Sequence, residues 1–364
     1  MSDTTQPSFS LAHWLHLARA AQASDLHLSA GQPPRVRVHG HLLALRAEPL
    51  SASNATVLRE EALRVGNVTA SHADLDFALH WPSLGRYRVN AFEHLHGPGL
   101  VLRLLPEAVP PLSTLGVPAA VLSWLDAHGG LILITGATGS GKSTTLAALV
   151  QHLNHTRDGH ILTLEDPIEF VHTSARCHIH QREIGRHTAS FATGLRAALR
   201  EDPDVILVGE LRDLDTIRLA LTAAETGHLV LGTLHTRSAA QTVSRLVDVF
   251  SPADQAQIRN QLSLSLLGAV AQQLLPSSTG KRVAAHEVLC CTPAVRHLIR
   301  EDKLSHIENA IQTGASHGMQ TLQQAIQQLG TAGRLAATSD APPPVPVGPQ
   351  SQFPLHSTSA PGAL

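Results

Sequence analysis

Gly136-Ala-Thr-Gly-Ser-Gly-Lys-Ser-Thr144 has the spacing G-x-x-x-x-G-K-[S/T], and its flanks place it between a strand and a helix. Before it runs the unbroken apolar segment Leu131 to Ile134, and after it Leu146, Leu149 and Leu153 recur at helical intervals. The residue types dictate the chemistry. Glycine lacks a Cβ, so the backbone from Gly136 through Ala137, Thr138, Gly139, Ser140 and Gly141 can wrap phosphate groups with its N–H groups turned inward. The positive end of the following helix adds to the attraction. Lys142 reaches the β and γ phosphates, Ser143 offers a hydroxyl to Mg²⁺, and Thr144 completes the motif. A glycine-rich turn without a ligand is the plain alternative, and the strand–loop–helix context makes it the poorer one. ATP with Mg²⁺ is the expected ligand.

Downstream the pattern repeats. Ile161 to Leu164, Val205 to Val208 and Leu229 to Leu231 are further short apolar runs, the signature of strands buried on both faces of a parallel sheet. The fold class is α/β, with a RecA-like P-loop domain over 119–330.

Hydrolysis also needs groups that position water and respond to the γ phosphate. Glu210 ends the strand Val205-Ile-Leu-Val-Gly-Glu210, where a second-motif acid belongs, although Gly209 stands where an Asp is usual. Glu165 and Glu169 follow the strand Ile161 to Leu164, at the sheet edge where the phosphates sit. Capping or solvated acids are the competing reading for each. His235 ends the strand from Leu229, beside Thr233 and Thr236, and is either a γ-phosphate sensor or a structural histidine. Cys177, His178 and His180 do not make a metal site, because alternation puts the cysteine on one strand face and both histidines on the other. Closure of such a site calls for a mobile cation, and Arg86, Arg88 and Arg103, on two strands just before a proline cluster, are either candidates for it or solvated strand-edge arginines.

The N-terminal third reads as a small mixed α/β domain, residues 1–105. Leu11, Trp14, Leu15 and Ala18 form a helical stripe that ends near Ala23. Short alternating segments follow at Leu26–Leu28 and Val36–Val38, then Arg86–Phe92, with Tyr87, Val89 and Ala91 on one face, and Leu100–Leu105. Pro106, Pro110, Pro111, Gly116 and Pro118 mark a linker over 106–118. From Thr331 to Leu364 an Ala/Pro/Ser/Thr-rich stretch without periodicity reads as a disordered tail.

Composition narrows the remaining possibilities. The net charge is −2 and the only lysines are Lys142, Lys281 and Lys303, so no basic face for nucleic acid is expected. Cys177, Cys290 and Cys291 fit neither a disulfide framework nor a metal ribbon and suggest a reducing, cytoplasmic compartment. No apolar run reaches the roughly 18 residues of a membrane helix, so contact with a membrane is expected through partners.

Between about Ser24 and Leu329 the chain resembles the type IV pilus retraction ATPases, the PilT group of the secretion-ATPase superfamily. The stretches that carry the resemblance are Ser24 to Gly31, Arg86 to Phe92, the phosphate loop, the "Asp box" Glu165 to Glu169, and Leu195 to Asp204. They continue with Gly209 to Asp213 and the "His box" Thr222 to Thr236. The resemblance explains Gly209, since the superfamily's second motif is Gly-Glu. It implies a PAS-like N-terminal domain and a hexameric ring with sites between the domains. It further implies motion against an inner-membrane platform protein, at the cytoplasmic face of the inner membrane, that disassembles a pilus. By the same likeness Glu210 or an Asp-box glutamate polarises water or holds Mg²⁺ through water, His235 senses phosphate, and Arg86, Arg88 and Arg103 include finger-like arginines. One departure stands out: the retraction signature Ala-Ile-Arg-Asn-Leu appears as Ala294-Val-Arg-His-Leu298. The competing readings are an accessory, PilU-like retraction ATPase working beside a second motor, an extension or secretion ATPase, and a ring-forming regulator that binds nucleotide without turnover. Extension-type relatives usually carry a large extra N-terminal region and often paired CxxC motifs, which this sequence lacks.

Overall fold

The computed structural model describes residues 10–38, 40–45, 47–69 and 72–336. It contains two sheets, one ahead of the proline cluster and one after it.

The first is antiparallel. Helix α1 (Leu11–Ala20) starts at Ser10, whose hydroxyl accepts the His13 N–H, and buries Leu11, Trp14, Leu15 and Ala18. Strands β1 (Asp25–Ser29), β2 (Arg35–Val38) and β3 (His41–Ala44) follow. Then come helix α2 (Ala52–Gly66) and strands β4 (Leu75–Trp81), β5 (Gly85–His94) and β6 (Gly97–Leu104). Their order is β3-β2-β1-β6-β5-β4. Alternation on β5 sends Tyr87, Val89 and Ala91 into a core shared with α1 and α2, and leaves Arg86 and Arg88 on the opposite face. Neither α2 nor β4 is evident from the sequence pattern. The apolar stripe of α2 is thin, with Ala55, Leu58 and Ala62 buried among charged residues, so packing on the sheet fixes this helix more than periodicity does.

Residues 106–118 hold one short 3₁₀ turn, Leu112–Thr114. Helix α3 (Ala119–Trp124) then leads to strand β7 (Gly130–Thr135), helix α4 (Lys142–Thr156) and strands β8 (Gly159–Glu165) and β9 (Cys177–Glu183). Next are α5 (Phe191–Ala198), β10 (Val205–Val208), α6 (Leu214–Glu225), β11 (Leu229–Leu234), α7 (Ala239–Asp248) and α8 (Pro252–Ser265). A hairpin of β12 (Leu266–Pro276) and β13 (Arg282–Cys290) precedes α9 (Pro293–Arg300), α10 (Ile307–Thr313) and α11 (Leu322–Thr331).

The strand order is β13-β12-β7-β11-β10-β8-β9, and every neighbouring pair is parallel except β12 with β13. Burial on both faces is explicit in the side chains: Leu131 and Leu133 belong to one core, Ile132 and Ile134 to the other. The antiparallel hairpin was not read from the sequence. On β9, Cys177 is buried while His178 and His180 are exposed, and the ring of His160 on β8 stands edge-on to His180 and tilted against His178. Past Thr331 the chain does not leave the fold at once, because Leu335 bridges Ser277 and the Ala336 N–H donates to the Pro276 carbonyl. Residues 337–364 of the expected tail lie outside the described residues.

His286 of β13 is 3% exposed and its Nε2 has no partner; burial holds its pKa down to about 4, and the same cause brings His172 to about 4. Each imidazole therefore takes a proton in the unfolded chain before it does so in the folded one. Stability should fall as pH drops from about 6.5 towards 4, by about 1 kcal/mol per pH unit for each histidine, and level off below. Thermal unfolding across that range checks this, and His286→Leu should flatten the slope.

Candidate active site

The phosphate loop joins β7 to α4 at the C-terminal edge of the parallel sheet. Two of its glycines are required by geometry. Gly136 has φ 139° and Gly141 φ 91°, the left-handed side that L side chains avoid. A Cβ at Gly136 would collide with the Gln272 carbonyl, and one at Gly141 would lie 2.7 Å from Gln272 Nε2. Ala137, Thr138, Gly139 and Ser143 are exposed, Thr144 is half-buried, and Ser140 is buried with no hydrogen-bond partner for its Oγ.

A cleft of about 730 Å³ opens over this loop. One wall is the sheet edge, with Glu165, Glu169, Glu210 and His235; the facing wall is the first sheet, with Asp76, Arg88 and Arg103. Lys142 is 9% exposed, and its Nζ donates to the carbonyls of Gly136 at 2.8 Å and Ala137 at 3.1 Å. The same ammonium lies 3.4 Å from His235 Nδ1, and His235 Nε2 lies 3.2 Å from Glu210 Oε1. An ammonium only donates and a carboxylate only accepts, so the ring bridges them as the neutral Nε2–H tautomer. Arg212 Nε donates to the other carboxylate oxygen of Glu210 at 2.7 Å. One relay, Lys142–His235–Glu210–Arg212, thus crosses the floor of the cleft.

The glutamates stand in different surroundings. Burial pushes the Glu210 carboxyl up, but the hydrogen bond from Arg212 and the His235 ring outweigh it, and the net direction is below the ordinary value. Glu165 goes the other way: burial raises it, although Thr163 Oγ1 at 2.7 Å and Gln181 Nε2 at 3.0 Å both donate to its Oε1. Burial also lowers the Lys142 ammonium, opposed by Glu210 and Glu169.

The structure separates the three arginines. Arg86 donates to the carbonyls of Ile168 at 2.6 Å and Glu169 at 3.1 Å, clasping the first sheet to the loop after β8 within one chain. Arg88 and Arg103 face one another across β5 and β6, and both line the cleft. Arg88 sits 3.8 Å from Asp76, and Arg103 is held at 2.7 Å by the buried Asp25. Sequence reasoning did not single out Arg212 or Gln272. Arg212 lies inside the quoted Gly209 to Asp213 stretch, whereas Gln272 sits on the unread hairpin.

Residues 11–336 match the family described as "Type II/IV secretion system protein". The chain belongs to this family. It is 50% identical to the "Type IV pilus retractation ATPase PilT" of Pseudomonas aeruginosa over 316 residues, 86% of this chain and 92% of that one. It is 47% identical to the "Twitching motility protein" of Neisseria gonorrhoeae over 309 residues, 83% of this chain and 82% of that one. Among solved structures, that of the "Pilus Retraction Motor PilT and Bound ADP" aligns with a TM-score of 0.81 and 41% identity, covering 92% of this chain and 98% of that one. The α/β class with an antiparallel N-terminal sheet and a mainly parallel second sheet is the architecture of that motor, and the chain is an ATP-hydrolysing enzyme.

Proposed function

We propose that this ATPase is the motor for retraction of a type IV pilus, working as a homo-hexamer at the cytoplasmic face of the inner membrane against a platform protein. The observation that carries the reading is likeness to PilT through both sheets, together with a cleft where the second sheet's acids face the first sheet's arginines. A site built from both sheets can couple nucleotide state to their relative position. No helix among the described residues is long and apolar enough to cross a membrane.

In this reading Gly136 to Thr144 cradle the phosphates. The buried, partnerless Ser140 Oγ and the exposed Ala137 to Gly139 stretch of the loop fit an oxyanion ligand. Lys142 exchanges its carbonyl partners for phosphate oxygens. His235, hydrogen-bonded to both Lys142 and Glu210, senses the γ phosphate, since a shift of the ammonium moves its ring. The Ser143 hydroxyl and the Glu210 carboxylate are hard oxygen donors suited to Mg²⁺, Glu210 through water; bound there, the ion would neutralise phosphate charge. Glu165, with its affinity for a proton raised, is the base that takes one from the attacking water, and Glu169 stands beside it. Arg88 and Arg103 supply the finger-like cations, and Arg86 acts as the clasp.

The retraction signature lies on α9. Val295 and Ile299 are buried, whereas Ala294 and His297 are exposed, so His297 alters a surface residue and leaves the core intact. Deleting the gene should leave cells with excess pili and without surface motility, measured by pilus counts and twitching-zone diameter. Ordinary piliation and motility would transfer the motor to another load, such as secretion.

A further inference from the structure

Gln272 is 5% exposed, lies behind the phosphate loop, and belongs to none of the motifs above. We propose that it is a positioning residue for phosphate binding, whose amide sets the orientation of the Ser140–Gly141 peptide so that the Gly141 N–H faces the nucleotide. The inference rests on nucleotide binding at this loop.

Parallel pairing of β12 with β7 aligns Val270 with Ile134 and Ala271 with Thr135, which brings Gln272 beside the point where β7 becomes the loop. Its Nε2 donates to the Ser140 carbonyl at 2.8 Å, and its Oε1 accepts the Thr145 hydroxyl at 2.8 Å. A carbonyl only accepts, so the NH₂ end must face Ser140 and the amide cannot be reversed. In a planar trans peptide the C=O of one residue and the N–H of the next point in opposite directions. Drawing the Ser140 carbonyl towards β12 therefore turns the Gly141 N–H away from β12, towards the cleft that Gly141 lines.

The backbone does not hold this peptide by itself. Glycine at 141 tolerates both signs of φ, so a flip of the Ser140–Gly141 unit meets little steric resistance. A partner outside the loop has to fix it. The other end of the amide grips Thr145, in the first turn of α4, whose N–H donates to the Gly141 carbonyl at 3.0 Å. One buried side chain thus ties the loop to the helix terminus that the phosphates approach, without reaching the ligand.

The test uses the purified full chain with Gln272→Met, which removes both hydrogen bonds, and Gln272→Glu, which keeps the shape but sets an acceptor against the Ser140 carbonyl. ADP binding is read by titration calorimetry, ATP turnover by phosphate release, and folding by thermal unfolding. ADP affinity should fall ~10-fold in the Met variant and further in the Glu variant, with KM for ATP rising in step and kcat within about threefold. Lowered unfolding temperature with KM and ADP affinity within about twofold of wild type would overturn the proposal, as would a loss confined to kcat. Should Gln272→Met fail to fold, the isosteric Gln272→Glu variant decides alone. Wild-type protein that bound no ADP would instead remove the nucleotide reading beneath the proposal.

Discussion

Lys142→Ala is expected to lower ATP turnover at least ~100-fold while leaving the chain folded. Among the described residues the ammonium is the one lysine charge at the cleft, held between two loop carbonyls and His235, and alanine offers nothing to phosphates that would replace those partners. The substitution strips the carbonyls of Gly136 and Ala137 of a donor, but their loop borders an open cleft where water can replace it. Phosphate release and ADP titration should therefore both collapse, with thermal unfolding shifted by only a few degrees. Turnover within tenfold of wild type would exclude Lys142 from the phosphate site and restore the reading of a glycine-rich turn.

The second large effect separates the glutamates. Glu165→Gln should cost ~100- to 10,000-fold in kcat with ADP affinity kept, because the amide oxygen can keep the bonds from Thr163 and Gln181 but the amide cannot accept a proton. Wild-type kcat should also fall on acidification through the raised Glu165 pKa, since a base must be ionised to act. Glu210→Gln should lower kcat as well, but partly recover at higher Mg²⁺, because in the proposed reading this carboxylate, whose pKa the Arg212 hydrogen bond helps to lower, is the group that would hold the ion. The reverse pattern, with Mg²⁺ rescuing Glu165→Gln and not Glu210→Gln, would exchange the two assignments.

Much of the second sheet was legible because its strands are apolar on both faces, and Leu131 to Ile134 cannot be anything but buried. The hairpin β12–β13 was not, since Gln272, Gln273 and His286 interrupt the apolar run that marks such strands. In the first sheet, Tyr87, Val89 and Ala91 announced their strand by alternation, while α2 was hidden by a stripe too thin to stand out from its charges. The motifs located Lys142, Glu210 and His235, but spacing along a chain could not say that the ring of His235 would bridge the other two. Arg86, Arg88 and Arg103 looked equivalent on their strands; only the packing of the two sheets gave the first to the Ile168 and Glu169 carbonyls and left the others in the cleft.

By itself the sequence determined that this chain carries a phosphate loop on a parallel sheet, because glycine spacing, one lysine and unbroken apolar strands are local properties. Tertiary structure alone decided which acid is held ionised, which is raised, and which buried amide orients the loop. Those outcomes depend on burial and on partners brought from distant positions, with Gln272 meeting Ser140 across 132 residues of chain.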